Sequence, residues 1–298
     1  MLIVATLALA ASGACSRGVT GLDPLGPGTR MAHITVDGHD RSFALHVPAA
    51  LPAGRRVPLV IVLHGYSGNG PRMEHVTGFS ALADSVGLIV AYPNGERSAT
   101  VRRHWDDHGQ PSADVDFLRA LIDTLERREP VDASRVYVAG FSSGAFMAYR
   151  VGRSLSDRVA AIGVVSGSAG RRQAAQPDES SLMPPHPVPA IIFHGMADPV
   201  VPYDAEHGRG GRMRGLVAAP RSAALWAEGD GCGATPRVDT LYAGDAIRTA
   251  YAACRDGADV VLYAIPRGGH TWPLANRAGA RVPATALMWE FFAAHPRR

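Results

Sequence analysis

Apolar positions in this chain come in two kinds of run. Val57-Pro58-Leu59-Val60-Ile61-Val62-Leu63 is apolar without interruption, the pattern of a strand covered on both faces. Residues 88–92, 135–139, 159–165, 188–193 and 260–265 likewise have strand composition, apolar throughout except for Arg135. Between them apolar residues recur at helical spacing. In 116–128, Phe117, Leu118, Leu121, Ile122 and Leu125 form one stripe, and Pro130-Val131-Asp132 closes it. Residues 79–84, 145–155 and 283–294 read as further helices. Strands alternating with helices predict an α/β fold, a mostly parallel, doubly wound sheet with helices on both faces. Two hairpin signals accompany it, the first N-terminal to the parallel strands. Asp37-Gly38 joins 33–36 to 41–47, and Ala243-Gly244-Asp245 joins 237–241 to 246–251. Residues 167–187 and 204–218 read as loops.

Composition narrows the picture. The 298 residues are 46% hydrophobic and 19% charged, which suits a single globular domain over residues 31–298. A net charge of +3, with basic residues scattered in runs no longer than two, gives no footprint for nucleic acid. All 30 basic residues are Arg. The absence of Lys excludes Schiff-base chemistry, a pyridoxal-phosphate lysine, a P-loop and a Ser-Lys dyad. Residues 1–14 hold no charge and match the apolar core of a signal peptide, with a disordered apolar tail as the alternative. Ser12-Gly13-Ala14-Cys15 resembles a lipobox, making Cys15 a candidate lipidation site. Residues 16–30, rich in Gly, Pro and Ser, would be a tether. These features point to export, with a possible membrane tether through the lipid. Cys232 and Cys254 bracket the second hairpin and could pair in an oxidising compartment; two buried free thiols are the other possibility. They are too few for a Cys-type zinc site.

The candidate chemistry lies at the ends of the predicted strands. Gly140-Phe141-Ser142-Ser143-Gly144 stands between a strand and a helix. It is either an ordinary Gly-Ser turn or a nucleophile elbow, in which glycines on both sides let the turn tighten and lift the Ser142 hydroxyl to a helix N-terminus. Such a serine needs a base, and without lysine that base is a histidine. In this architecture the chain order is Ser, acid, His. Asp198 follows the 188–193 strand on a turn ended by Pro199, and His270 follows the 260–265 strand after Gly268-Gly269. The expected triad is therefore Ser142, Asp198 and His270. The expected oxyanion donors are the backbone N–H groups of Ser143 and of Tyr66, in the loop after the 57–63 strand.

Several segments, read together and in order, resemble the esterase family that groups poly(3-hydroxybutyrate) depolymerases with feruloyl and acetylxylan esterases. They are Leu63-His64-Gly65-Tyr66-Ser67-Gly68-Asn69, Tyr92-Pro93-Asn94-Gly95, Asp114-Val115-Asp116-Phe117, residues 131–144, residues 194–203 and Gly268-Gly269-His270-Thr271-Trp272-Pro273. The resemblance implies an α/β-hydrolase fold and an extracellular serine esterase without cofactor. The substrate would be a polyester oligomer or a plant cell-wall ester such as a feruloyl or acetyl-xylan ester. It also implies a disulfide near Cys232 and Cys254, and places Trp105 and Trp272 near the cleft as candidate substrate contacts; for Trp105 the alternative is a loop anchor in the core. Where the family often reads Gly-Gly after His-Gly, this chain has Tyr66-Ser67. The rival readings are a peptidase of the prolyl-oligopeptidase type and a surface-tethered binding protein that kept the fold. His104-Trp105-Asp106-Asp107-His108 is not expected to hold a metal, because successive loop residues rarely converge on one ion. His75, His186 and His207 read as surface residues, and Met147 and Met288 as core.

Overall fold

In the computed structural model, which describes residues 28–97, 102–107, 111–170, 179–204, 215–275 and 281–298, ten strands form one sheet. In chain order they are β1 (Gly28–Val36), β2 (His39–Val47), β3 (Val57–Leu63), β4 (Ile89–Pro93), β5 (Val131–Phe141), β6 (Ala161–Val165), β7 (Ala190–Gly195), β8 (Arg237–Leu241), β9 (Ala246–Tyr251) and β10 (Val260–Ile265). Their spatial order is β1-β2-β4-β3-β5-β6-β7-β10-β9-β8. The six central strands, β4 to β10 in that order, pair in parallel. The two hairpins extend the same sheet antiparallel, one at each edge.

The helices are α1 (Gly70–Thr77), α2 (Phe79–Val86), α3 (Ala113–Arg128), α4 (Ser143–Ser154), α5 (Ala219–Gly229) and α6 (Ala284–Ala294). They cover both faces, and strand alternation shows how. Leu59, Ile61 and Leu63 of β3 pack in the core with Phe117 and Leu121 of α3, Met147 of α4 and Trp226 of α5. Val60 and Val62 point the other way, into the core with Met73 of α1, Phe79 of α2 and Met288 of α6. Each fully buried Val, Leu or Ile contributes about 1.5–3 kcal/mol. This is why β3 has no polar position. The predicted core residues Met147 and Met288 are both buried, and His75 and His186 are exposed.

Two helices go beyond the sequence expectation. α1 opens on Gly70-Pro71 and α5 on Ala219-Pro220, dipeptides that read as loops. Proline is at home in the first helical turn, where its missing N–H is not needed. β5 also begins at Val131, inside the segment expected only to terminate α3.

The hairpin β1–β2 is tied to the rest of the molecule by a buried ion pair. Arg41 of β2 pairs with Asp114 in the first turn of α3 and lies 4.1 Å over the Phe117 ring. The second carboxylate oxygen of Asp114 accepts the Asp106 N–H at 2.7 Å. At the opposite edge Cys232 and Cys254 are disulfide-bonded across the base of the β8–β9 hairpin, as the sequence suggested.

Candidate active site

Parallel pairing puts the C-terminal ends of β3, β5, β7 and β10 on one rim. The chain runs from β3 outward to β4 and then returns across β3 to β5. A crevice forms between the loops after β3 and β5, where the winding reverses. Ser142 follows β5, and the 64–69 loop follows β3.

Ser142 has φ 55° and ψ −119°, a left-handed conformation that non-glycine residues seldom adopt. Its N–H donates to Val165 O at 2.9 Å, which fixes the corner. The flanking glycines are sterically required. A Cβ on Gly140 would stand 2.1 Å from the Gly144 carbonyl oxygen, and one on Gly144 would stand 2.4 Å from Leu63 O. The Ser142 side chain consequently leaves the corner unhindered at the start of α4.

His270 and Asp198 arrive through a second close approach. The turns after β7 and β10 are joined by bonds from Met196 N–H to Ile265 O (2.9 Å) and from Ala197 N–H to Gly268 O (3.0 Å). A Cβ on Gly195 would lie 2.2 Å from Gly268 O. With the turns pressed together, Asp198 Oδ2 sits 2.8 Å from His270 Nδ1, and His270 Nε2 sits 2.9 Å from Ser142 Oγ. Asp198 Oδ1 accepts the N–H groups of Val200 and Val201 at 2.8 and 2.9 Å. Burial works against ionisation of Asp198. The hydrogen bond and charge of His270, with the two amides, outweigh it and hold the carboxyl below the usual carboxylate range. An ionised Asp198 only accepts, so His270 carries its hydrogen on Nδ1 and presents the Nε2 lone pair to the serine hydroxyl. The Phe141 ring packs against the imidazole with centroids 4.9 Å apart. Beneath the acid, His194 is buried, and its Nε2–H donates to Val201 O at 2.8 Å; burial depresses its pKa and keeps the ring neutral.

The loop after β3 lies directly against the serine, since a Cβ on Gly65 would stand 3.3 Å from Ser142 Cβ. The N–H groups of Tyr66 and Ser143 have no hydrogen-bond partner among the described residues. A residue that the motif reading left without a role holds this loop in place. His64 is fully buried, its Nε2 accepts the Gly95 N–H at 2.9 Å, and its Nδ1–H donates to Gly65 O at 2.8 Å. Accepting at Nε2 while donating from Nδ1 requires a neutral ring, and burial lowers its pKa to about 4.

The structure corrects the two tryptophans. Trp105 is 2% exposed; its ring packs on His64 and its Nε1–H donates to His64 O at 2.8 Å. It supports the loop after β3 and, being buried, offers no face to a substrate. Trp272 is 1% exposed, and its Nε1–H donates to Thr285 Oγ1 at 3.0 Å. It backs the wall of the cleft, with its ring turned into the core. In both cases the indole N–H finds its acceptor inward, and the ring follows. Tyr66, at 53% exposed, is instead the aromatic ring on the rim. The cleft beside the serine encloses about 290 Å³, bounded by the 65–69 loop, α1, Phe141 and His270–Trp272. No group of three metal-ligating side chains occurs among the described residues. Cys15, the lipobox, the tether up to residue 27, His108 and His207 lie outside the described residues.

A family model described as esterase PHB depolymerase matches residues 41–183. A putative esterase, NocK, of Nocardia uniformis subsp. tsuyamanensis is 31% identical over 282 residues, covering 82% of this chain and 74% of the relative. Feruloyl esterase B of Piromyces equi is 28% identical over 234 residues, covering 77% of this chain and 42% of the relative. This chain thus spans less than half the length of that enzyme. Among solved structures, acetyl xylan esterase from Aspergillus awamori superposes with a TM-score of 0.64 at 18% identity, over 89% of this chain and 99% of that one. The architecture is the α/β-hydrolase fold.

Proposed function

The chain belongs to the esterase PHB depolymerase family, and on that premise we propose that it is an exported serine esterase working through an acyl-enzyme on Ser142. The observation that carries this reading is the unbroken relay from Ser142 Oγ through His270 to Asp198, at 2.9 and 2.8 Å. Ser142 Oγ attacks the ester carbonyl while His270 Nε2 takes its proton. Asp198 stabilises the imidazolium. The carbonyl oxygen, now an anion, is held by the Tyr66 and Ser143 N–H groups at the positive end of α4. Collapse of the tetrahedral intermediate expels the alcohol, which receives the proton from His270. Water then attacks the acyl group with His270 again as base, and Ser142 is regenerated.

Ser142→Ala should lower kcat on a p-nitrophenyl ester by about a million-fold. A fluorophosphonate probe should label the wild-type serine and leave the variant unlabelled. Undiminished turnover by the variant, or a wild-type protein that does not react with the probe, would overturn the assignment.

The substrates that fit this reading are hydroxybutyrate oligomers and feruloyl or acetyl-xylan esters, and a panel of the three ranks them by kcat/KM. Export is supported by the Cys232–Cys254 disulfide, which persists in an oxidising compartment, and by the uncharged first fourteen residues. Cys15 is the proposed lipid attachment point. Mass spectrometry of the mature N-terminus distinguishes a lipid-modified Cys15 from simple cleavage.

A further inference from the structure

One charge in the cleft has no task in the reaction just described. Arg72 is the third residue of α1, exposed and on the cleft wall with Tyr66, Met73, Phe141 and His270. It is the only permanently charged side chain among the described residues lining the cleft, and no carboxylate lines it. No ion pair among the described residues engages its guanidinium. The nearest acid along the helix, Glu74, is taken by the hydroxyls of Thr29 and Ser80.

The base of Arg72 is fixed. Its own N–H donates to Asn69 Oδ1 at 2.9 Å. The preceding Gly70 N–H donates to Asn94 Oδ1, also at 2.9 Å. A Cβ on Gly70 would meet Tyr92 O at 2.2 Å, so α1 lies against β4 as closely as backbone allows. A rigid helix end thus presents, with no ion pair among the described residues, a planar cation on the wall of the cleft that His270 also lines. Attack, proton transfer and oxyanion binding all proceed without it, and a neutral ester gains little from a guanidinium. A carboxylate gains a two-pronged, charge-assisted hydrogen bond. Arg72 and His270 line one cleft of about 290 Å³, the small end for ligand pockets, so a carboxylate a few bonds from the ester fits between them.

We infer that this cleft selects esters bearing a carboxylate close to the scissile bond, with Arg72 as the pairing group. The inference rests on the esterase reading of Ser142. The carboxylate can sit on either half of the ester, and two matched pairs distinguish the halves. The 3-hydroxybutyrate dimer against its terminal amide places the charge on the alcohol half. The p-nitrophenyl half-ester of adipate against p-nitrophenyl hexanoate places it on the acyl half. The readout is the ratio of kcat/KM for the charged over the neutral member.

In at least one pair Arg72→Gln should lower that ratio about fivefold, the size of a partly exposed ion pair. Arg72→Glu should lower it further, and Arg72→Lys, which keeps the charge but not the planar fork, should fall between wild type and Arg72→Gln. Raising salt to about 0.5 M should shrink the wild-type ratio, a measurement that needs no variant. Ratios that stay the same in both pairs, across variants and salt, would overturn the inference while leaving the esterase intact. A wild-type protein that cleaves none of the four esters would instead overturn the esterase reading itself.

Discussion

Single side chains here are held in protonation states that the fold dictates. His64 is neutral because it is sealed from water, and only a neutral ring can both accept from Gly95 and donate to Gly65. Asp230 is the opposite case to Asp198. Its Oδ1 accepts the Val188 N–H at 3.0 Å, but its Oδ2 is sealed off without a hydrogen bond among the described residues. Burial raises its pKa to about 8, against a smaller lowering by the Val188 amide and Arg255. The folded protein thus keeps a proton that the unfolded chain releases near pH 4. Between those values the unfolded state binds fewer protons, and stability falls as pH rises towards about 8. Asp230→Asn keeps the Oδ1 acceptor and never ionises. Its melting temperature should gain on wild type between pH 5 and pH 9. A difference that stays the same at both pH values would show that Asp230 is ionised in the fold.

At the scale of elements, the site depends on pairs of turns meeting more closely than side chains allow. Gly195→Ala should force the turns after β7 and β10 apart, since its Cβ would overlap Gly268 O at 2.2 Å. A shift of about 1 Å in a catalytic group costs on the order of a hundredfold in rate. Steady-state kinetics should therefore show kcat reduced by that order with KM little changed, and an unchanged kcat would refute the role given to this contact. The elements that make these turns were legible in the sequence because their strands are uninterrupted apolar runs, and the order of Ser142, Asp198 and His270 followed from where those runs end. α1 and α5 were not legible. Each has proline as its second residue, and large buried apolar side chains are few, Met73 in α1 and Leu225 with Trp226 in α5. The contacts that make them helices come from β3, β4 and β10, which no local pattern reports. The tryptophans show the same limit: an indole beside a cleft motif looks like a binding surface until the acceptor for its N–H is known. The cleft role of Arg72 was hidden for the related reason that α1 itself was unseen.

Across the whole molecule, a disulfide at one edge and a buried ion pair at the other help fasten the two hairpins to the parallel centre. The disulfide spans 22 positions, and replacing both cysteines by serine should cost about 3 kcal/mol, read as a lower denaturant midpoint. The bond closes an edge hairpin outside the relay, so kcat should hold; a loss of kcat in a folded variant would show coupling between hairpin and site. The other hairpin is bound more consequentially. Cutting the chain ahead of β3 would leave Asp114 an uncompensated charge in a dry interior, a loss of about 3–5 kcal/mol. Asp114 also secures Asp106, next to the Trp105 on which His64 rests. A gene fragment trimmed to the signature motifs would therefore keep every reacting group and yet lose the scaffold that aligns them. The smallest portion able to work as a catalyst begins upstream of the first residue of the chemistry, at the outermost strand.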